Sequence, residues 1–218
     1  MTVRGQLLLM LQTVAEALGE DFRERLVFVG GCTTALFITD EVTLEDVRAT
    51  DDVDLIVDLA GYGEWAQLRE ELRQRGFAES PEDNVICRMR LRDLKVDFMP
   101  DDAGILGFTN HWYAAGIETA VTHELTDTLR IKKLSPELFV ATKLEAYLGR
   151  GAGDLFMSRD MEDILLIVDG GRRSWTRFLL QRPKSTGSSP NSSQSCFRTA
   201  TSNISLREMS AARQGGPT

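Results

Sequence analysis

The chain has 218 residues, 42% hydrophobic and 27% charged, with a formal net charge of −8. That is the composition of a soluble globular protein, long enough for one domain with a proper core or one domain plus appendages. No apolar run approaches the roughly 18 residues a membrane span needs, and the three cysteines (Cys32, Cys87 and Cys196) are far apart without Cys-x-x-Cys spacing, so neither a zinc site nor a disulfide framework is implied.

Leu7-Leu8-Leu9-Met10-Leu11 is too short for a secretory core and is followed by Gln12, Glu16 and Glu20; it reads as one face of a helix over residues 4–18. With cysteines that suit a reducing compartment, the expected location is the cytoplasm, without a membrane partner. The charge is uneven. After Gly171, eight Arg and Lys residues stand against Glu208 alone, so residues 1–171 are more acidic than the whole. An acidic body counts against broad nucleic-acid binding, which needs a basic surface. A local patch from Arg88, Arg90, Lys132 and Lys133 is a possible exception.

Residues 26–29, Leu-Val-Phe-Val, read as a strand that enters the turn Gly30-Gly31. A helix follows from Thr33, with Cys32 or Thr33 as its cap. Residues 39–51 are acidic and loop-like, and 53–58 form an apolar strand. Gly61 to Gly76 carries Trp65, Leu68 and Leu72 at helical spacing and ends at a glycine. Residues 85–91 and 94–99 alternate around Arg92-Asp93, a hairpin signal. Residues 118–133 read as one or two further strands. Ser135-Pro136-Glu137 opens a helix over 135–148, and Ser158 caps another over 158–168. The divisions expected are an N-terminal helix (1–24), a catalytic core (25–100), the remaining strands and C-terminal helices of the same domain (101–171), and a disordered basic tail rich in Ser and Thr (172–218).

The chemistry centres on Arg48-Ala-Thr-Asp-Asp-Val-Asp-Leu-Ile-Val-Asp58. On a strand, i and i+2 share a face, so Asp52 and Asp54 present two carboxylates side by side. Like charges that close repel unless a cation separates them, and Mg²⁺ suits hard oxygen ligands. Asp97, in Leu94-Lys-Val-Asp-Phe98, has apolar neighbours that make an unpaired charge costly. If its strand lies beside 53–58, three carboxylates could hold two metal ions. The Gly30-Gly31 turn lets backbone amides approach a phosphate.

The order Gly30-Gly31, Asp52-Val53-Asp54, Asp97 resembles the DNA-polymerase-β-like nucleotidyltransferase superfamily. Arg48-Ala-Thr50-Asp-Asp52-Val-Asp54-Leu55, then Lys143 in Ala141-Thr-Lys-Leu-Glu-Ala146, Arg150 and Asp160-Met-Glu-Asp163, look like the AbiEii/AbiGii-type (MenT-like) toxins. The resemblance implies an α/β fold, a small mixed sheet flanked by helices with a helical C-terminal part. It implies Asp52, Asp54, Asp97 and Lys143 as catalytic residues, the three aspartates as metal ligands for Mg²⁺ in a two-metal site, and Gly30, Gly31, Thr33, Arg48, Thr50, Lys143 and Asp160 as nucleotide-binding. It further implies an NTP substrate, an RNA acceptor such as the tRNA 3′ end, a cognate antitoxin, and a role in a toxin–antitoxin or abortive-infection system. Two other readings stay open: a small-molecule (aminoglycoside-like) or protein nucleotidyltransferase, and a non-catalytic interaction protein that keeps the fold. Asp51 has no place in the expected site. His111, beside Trp112 and Tyr113, reads as a packed aromatic turn in preference to a base-stacking platform.

Overall fold

The computed structural model describes residues 1–150 and 154–171; the basic tail expected to be disordered lies outside them. Helix α1 (Val3–Leu18) starts where the Thr2 hydroxyl accepts from the Gly5 amide, and its stripe of Leu7, Leu11, Val14, Ala15 and Leu18 is buried. The one-turn α2 (Glu20–Arg23) leads into β1 (Leu26–Val29), buried along its whole length. After the Gly-Gly turn comes a 3-10 helix, Gly31–Leu36. Residues 39–51, expected as loop, include a short helix α3 (Glu41–Glu45) capped by the Asp40 carboxylate. Then follow β2 (Asp52–Val57), α4 (Tyr62–Gln74), the two-residue β3 (Phe77–Ala78), and the hairpin β4 (Arg88–Leu91) and β5 (Leu94–Pro100). Short helices α5 (Ala103–Leu106) and α6 (Tyr113–Glu118) fill a stretch without a clear sequence period. Strands β6 (Val121–Glu124) and β7 (Arg130–Lys133) precede α7 (Pro136–Gly149) and α8 (Arg159–Gly170). Both late helices start at the serines expected to cap them: Ser135 accepts from the Leu138 amide and Ser158 from the Met161 amide.

The seven strands form one mixed sheet in the order β3-β4-β5-β2-β1-β7-β6. β2 is central, antiparallel to β1 and parallel to β5. Period-2 alternation sends Val53, Leu55 and Val57 to one face, where they meet Phe28, Phe98 and the buried sides of α1 and α4. Each such side chain fully withdrawn from water contributes roughly 1.5–3 kcal/mol. Ile56 points the other way, into a second core with Val27, Val29 and the apolar sides of α7 and α8. Helix α6 can approach this face closely because Gly116 has no side chain; a Cβ there would lie 2.5 Å from Leu134 Cδ2. Trp112 is buried at its start while His111 is exposed, so the aromatic turn is packed. No helix among the described residues is long and apolar enough to cross a membrane.

Candidate active site

Asp52 and Asp54 share a face of β2 with Ile56. β2 begins with the carboxylates, and the apolar cover of that face starts at Ile56. Parallel pairing with β5 sets Asp97 directly opposite Asp54. One oxygen from each of the three carboxylates lies within 4.8 Å of the others. Burial, followed by repulsion from Asp52 and Asp97, pushes the Asp54 carboxyl up to about 7, against opposing pulls from Lys143 and Arg88. Crowded hard oxygens with an excess of negative charge are compatible with a metal site.

The local structure fixes each member. The Thr50 hydroxyl donates to Asp52 Oδ1. Arg88 on β4 donates from Nε and Nη2 to the two oxygens of Asp97, at 2.7 and 2.8 Å. Asp51 is exposed and pairs with Lys95, which holds its carboxyl below the usual range; it lines the same cleft without joining the triad. Gly30 takes φ +71°, and a Cβ there would sit 1.8 Å from Asp54 Oδ2. Gly30→Ala therefore strains the backbone by about 1–2 kcal/mol and also displaces Asp54. We expect it to lower the denaturant midpoint by more than Gly31→Ala, whose Cβ would meet the end of the long Arg48 side chain at 2.5 Å and Asp163 Oδ2 at 3.6 Å, without a positive φ.

The opposite wall of the cleft is cationic. Lys143 on α7 reaches Asp163 Oδ2 at 2.6 Å and Asp160 Oδ1 at 3.3 Å. Arg48 Nη2 reaches the same Asp163 oxygen at 3.1 Å, and Arg150 pairs with Asp160. Asp160 and Asp163 lie three residues apart on α8, so the Ser158 cap aims both at α7. The two walls enclose a cleft of about 760 Å³, within the usual range for small-molecule sites. Gly31, Arg48, Thr50, Asp52, Asp54, Asp97, Lys143 and Asp160 all line it.

Three expectations need correction. The helix after Gly30-Gly31 is a six-residue 3-10 helix whose cap position is Gly30, with no side-chain cap. The turn's glycines make room for Asp54 and Arg48. Thr33 is fully buried, its hydroxyl donating to the Gly30 carbonyl, and it is not among the cleft-lining residues. The basic patch does not form either. Arg88 belongs to the carboxylate site, Arg90 grips Asp83, and Lys132 binds Glu24. Lys133 is buried with Nζ 3.7 Å from the Phe37 ring centroid, and burial pulls its ammonium down to about 8. Arg88, read only as part of a basic patch, and Asp163, named only within the Asp160–Asp163 motif, are site members to which the sequence reading gave no role in the site. Counting back from the two-residue Arg92-Asp93 turn gives the pairs 91–94, 90–95, 89–96 and 88–97, a signal that could have placed Arg88 opposite Asp97.

No protein-family model and no curated protein matches this chain. Among solved structures, it is similar to the crystal structure of an antigenic nucleotidyltransferase-like protein from Paracoccidioides brasiliensis, with TM-score 0.53 and 18% identity over 97% of this chain and 92% of that one. At that identity the likeness speaks to fold alone: the chain has a mixed α/β, nucleotidyltransferase-like fold, and its acidic triad is compatible with a metal site.

Proposed function

We propose that the protein is a metal-dependent nucleotidyltransferase that moves an NMP from an NTP to an acceptor hydroxyl. The observation that carries the reading is the register of β2 and β5, which brings Asp52, Asp54 and Asp97 together across from Lys143 in one cleft. In the reaction the hydroxyl oxygen bonds to the α-phosphorus, the bond from that phosphorus to the bridging oxygen breaks, and pyrophosphate leaves. Divalent ions, Mg²⁺ by preference, supply charge neutralisation and lower the pKa of the attacking hydroxyl. Asp52 and Asp54 hold them, with Asp97 as third carboxylate. Thr50 orients Asp52. Lys143 and Arg150 present positive charge for the triphosphate, and Asp160 and Asp163 position Lys143. Most of the rate enhancement then comes from positioning and electrostatics.

The acceptor supported by the resemblance is RNA, with the tRNA 3′ end and growth inhibition as the toxin-like version. A cationic small molecule is the second reading, favoured by an acidic body whose Arg90 and Lys132 are neutralised by acidic neighbours. The test offers each labelled NTP with Mg²⁺ to total tRNA, to an aminoglycoside panel, and to no acceptor. Label in RNA that Asp52→Ala and Asp54→Ala both abolish supports the toxin-like reading. Label in the aminoglycosides supports the second. Label indifferent to both substitutions, or no label in any arm, overturns the proposal.

A further inference from the structure

The triad already has a cation of its own. Arg88 lies directly across from Asp97 in the β4–β5 register. Its guanidinium takes both Asp97 oxygens, and Nη2 also stands 3.5 Å from Asp52 Oδ2. A two-pronged arginine–carboxylate pair is stronger and better defined in geometry than a point-charge contact. Three other cations of the cleft are engaged elsewhere, Lys143 with Asp160 and Asp163, Arg48 with Asp163, and Arg150 with Asp160, while Arg159 lines the cleft on the α8 side. Among the described residues, Arg88 is the guanidinium that grips the triad.

The charge count then matters. Once a bound cation has displaced any proton from the triad, three carboxylates and one guanidinium leave a double negative charge, which one divalent ion balances. A second ion would make the cluster positive unless an anionic triphosphate came with it. It would also compete with Arg88 for the oxygens of Asp97.

We propose that Arg88 is a built-in counter-cation that holds Asp97 and limits the nucleotide-free site to one divalent ion, carried by Asp52 and Asp54. The inference rests on the metal-dependent reading above. Its consequence is an order of binding: the first ion binds the protein alone, and any second ion enters with the nucleotide. Arg88 is thus a positioning residue that sets ion stoichiometry.

The test counts Mn²⁺ bound to the full chain without nucleotide, by electron paramagnetic resonance of the free ion. Wild type is expected to bind one ion per chain. Arg88→Ala is expected to bind a second ion, or to bind the first about tenfold more tightly, because a charge a few ångströms from the site is lost. Arg90→Ala removes the same charge two residues along, where Asp83 is the partner, and is expected to match wild type. If Arg88→Ala does not fold by circular dichroism, Arg88→Gln decides. It keeps a polar side chain of similar reach but not the charge, so ion affinity above wild type supports the proposal and wild-type affinity overturns it. Two ions in wild type, or equal effects of the Arg88 and Arg90 variants, also overturn it while leaving the metal reading intact. No Mn²⁺ bound to wild type or to Arg88→Ala overturns both.

Discussion

Asp163→Ala is expected to destabilise the protein by about 3–5 kcal/mol, the loss seen when one member of a buried ion pair is removed. Asp163 is fully buried, and its Oδ2 accepts from Lys143 at 2.6 Å and is approached by Arg48 at 3.1 Å. Alanine would leave two cations facing each other in a region of reduced water access. Folded domains hold only about 5–15 kcal/mol in total, so the loss is a large share. Urea denaturation at neutral pH reads it directly. Glu162→Ala is the control: its side chain is half exposed and 3.9 Å from Arg48, so its effect is expected to stay within about 0.5 kcal/mol. Equal effects of the two substitutions would show that Asp163 is not the anchor of the cationic wall.

Asp54→Asn is expected to move stability and activity in opposite directions. The Asp54 carboxyl is pushed up to about 7 in the fold, by burial first and by Asp52 and Asp97 next, whereas in the unfolded chain it titrates at about 3.9. Between those values the native state binds more protons than the unfolded state, so this group lowers stability progressively as pH rises from about 4 through 7. Below that window it is neutral in both states and contributes nothing. Asparagine removes the effect. Without metal, the variant should melt like wild type at acid pH and be more stable above neutrality. The gain at pH 8 is about 2 kcal/mol, reduced by solvent in the open cleft, or roughly 4–8 °C in Tm for a chain of this size. Mg²⁺ should raise the wild-type Tm by binding the native state and leave the variant largely unmoved. Transfer activity should fall about 10³-fold or more, since a lost metal ligand removes several kcal/mol of transition-state stabilisation. A variant less stable than wild type at pH 8 would contradict the charge crowding inferred for the triad.

The parts of the site that sequence could reach were those set by local periodicity. Asp52 and Asp54 sit at i and i+2 in an apolar strand, so their shared face follows from strand geometry alone. The Ser135 and Ser158 caps and the Arg92-Asp93 turn are likewise written within a few residues. Asp97 could be proposed from its costly apolar neighbours, but its place beside Asp54 depends on the β2–β5 pairing, which no local pattern specifies. Arg88 and Asp163 were harder because their roles come from their partners. One needs the hairpin register carried four residues from the turn, and the other needs α7 and α8 packed together. The stretch 101–120 has no clean period because α5 and α6, of four and six residues, are too short to show one and are fixed by tertiary contacts such as that at Gly116. The basic patch failed for a related reason: counting lysines and arginines along the chain does not show which acids neutralise them in space.

The most direct measurement of the central claim is pyrophosphate release from an NTP mixture supplied with total RNA and aminoglycosides, comparing wild type with Asp54→Asn in Mg²⁺ and in chelator. Release that requires Mg²⁺ in wild type and disappears in the variant is the predicted result. Release that persists in Asp54→Asn, or that is indifferent to chelator, would contradict a carboxylate-held metal centre in this cleft.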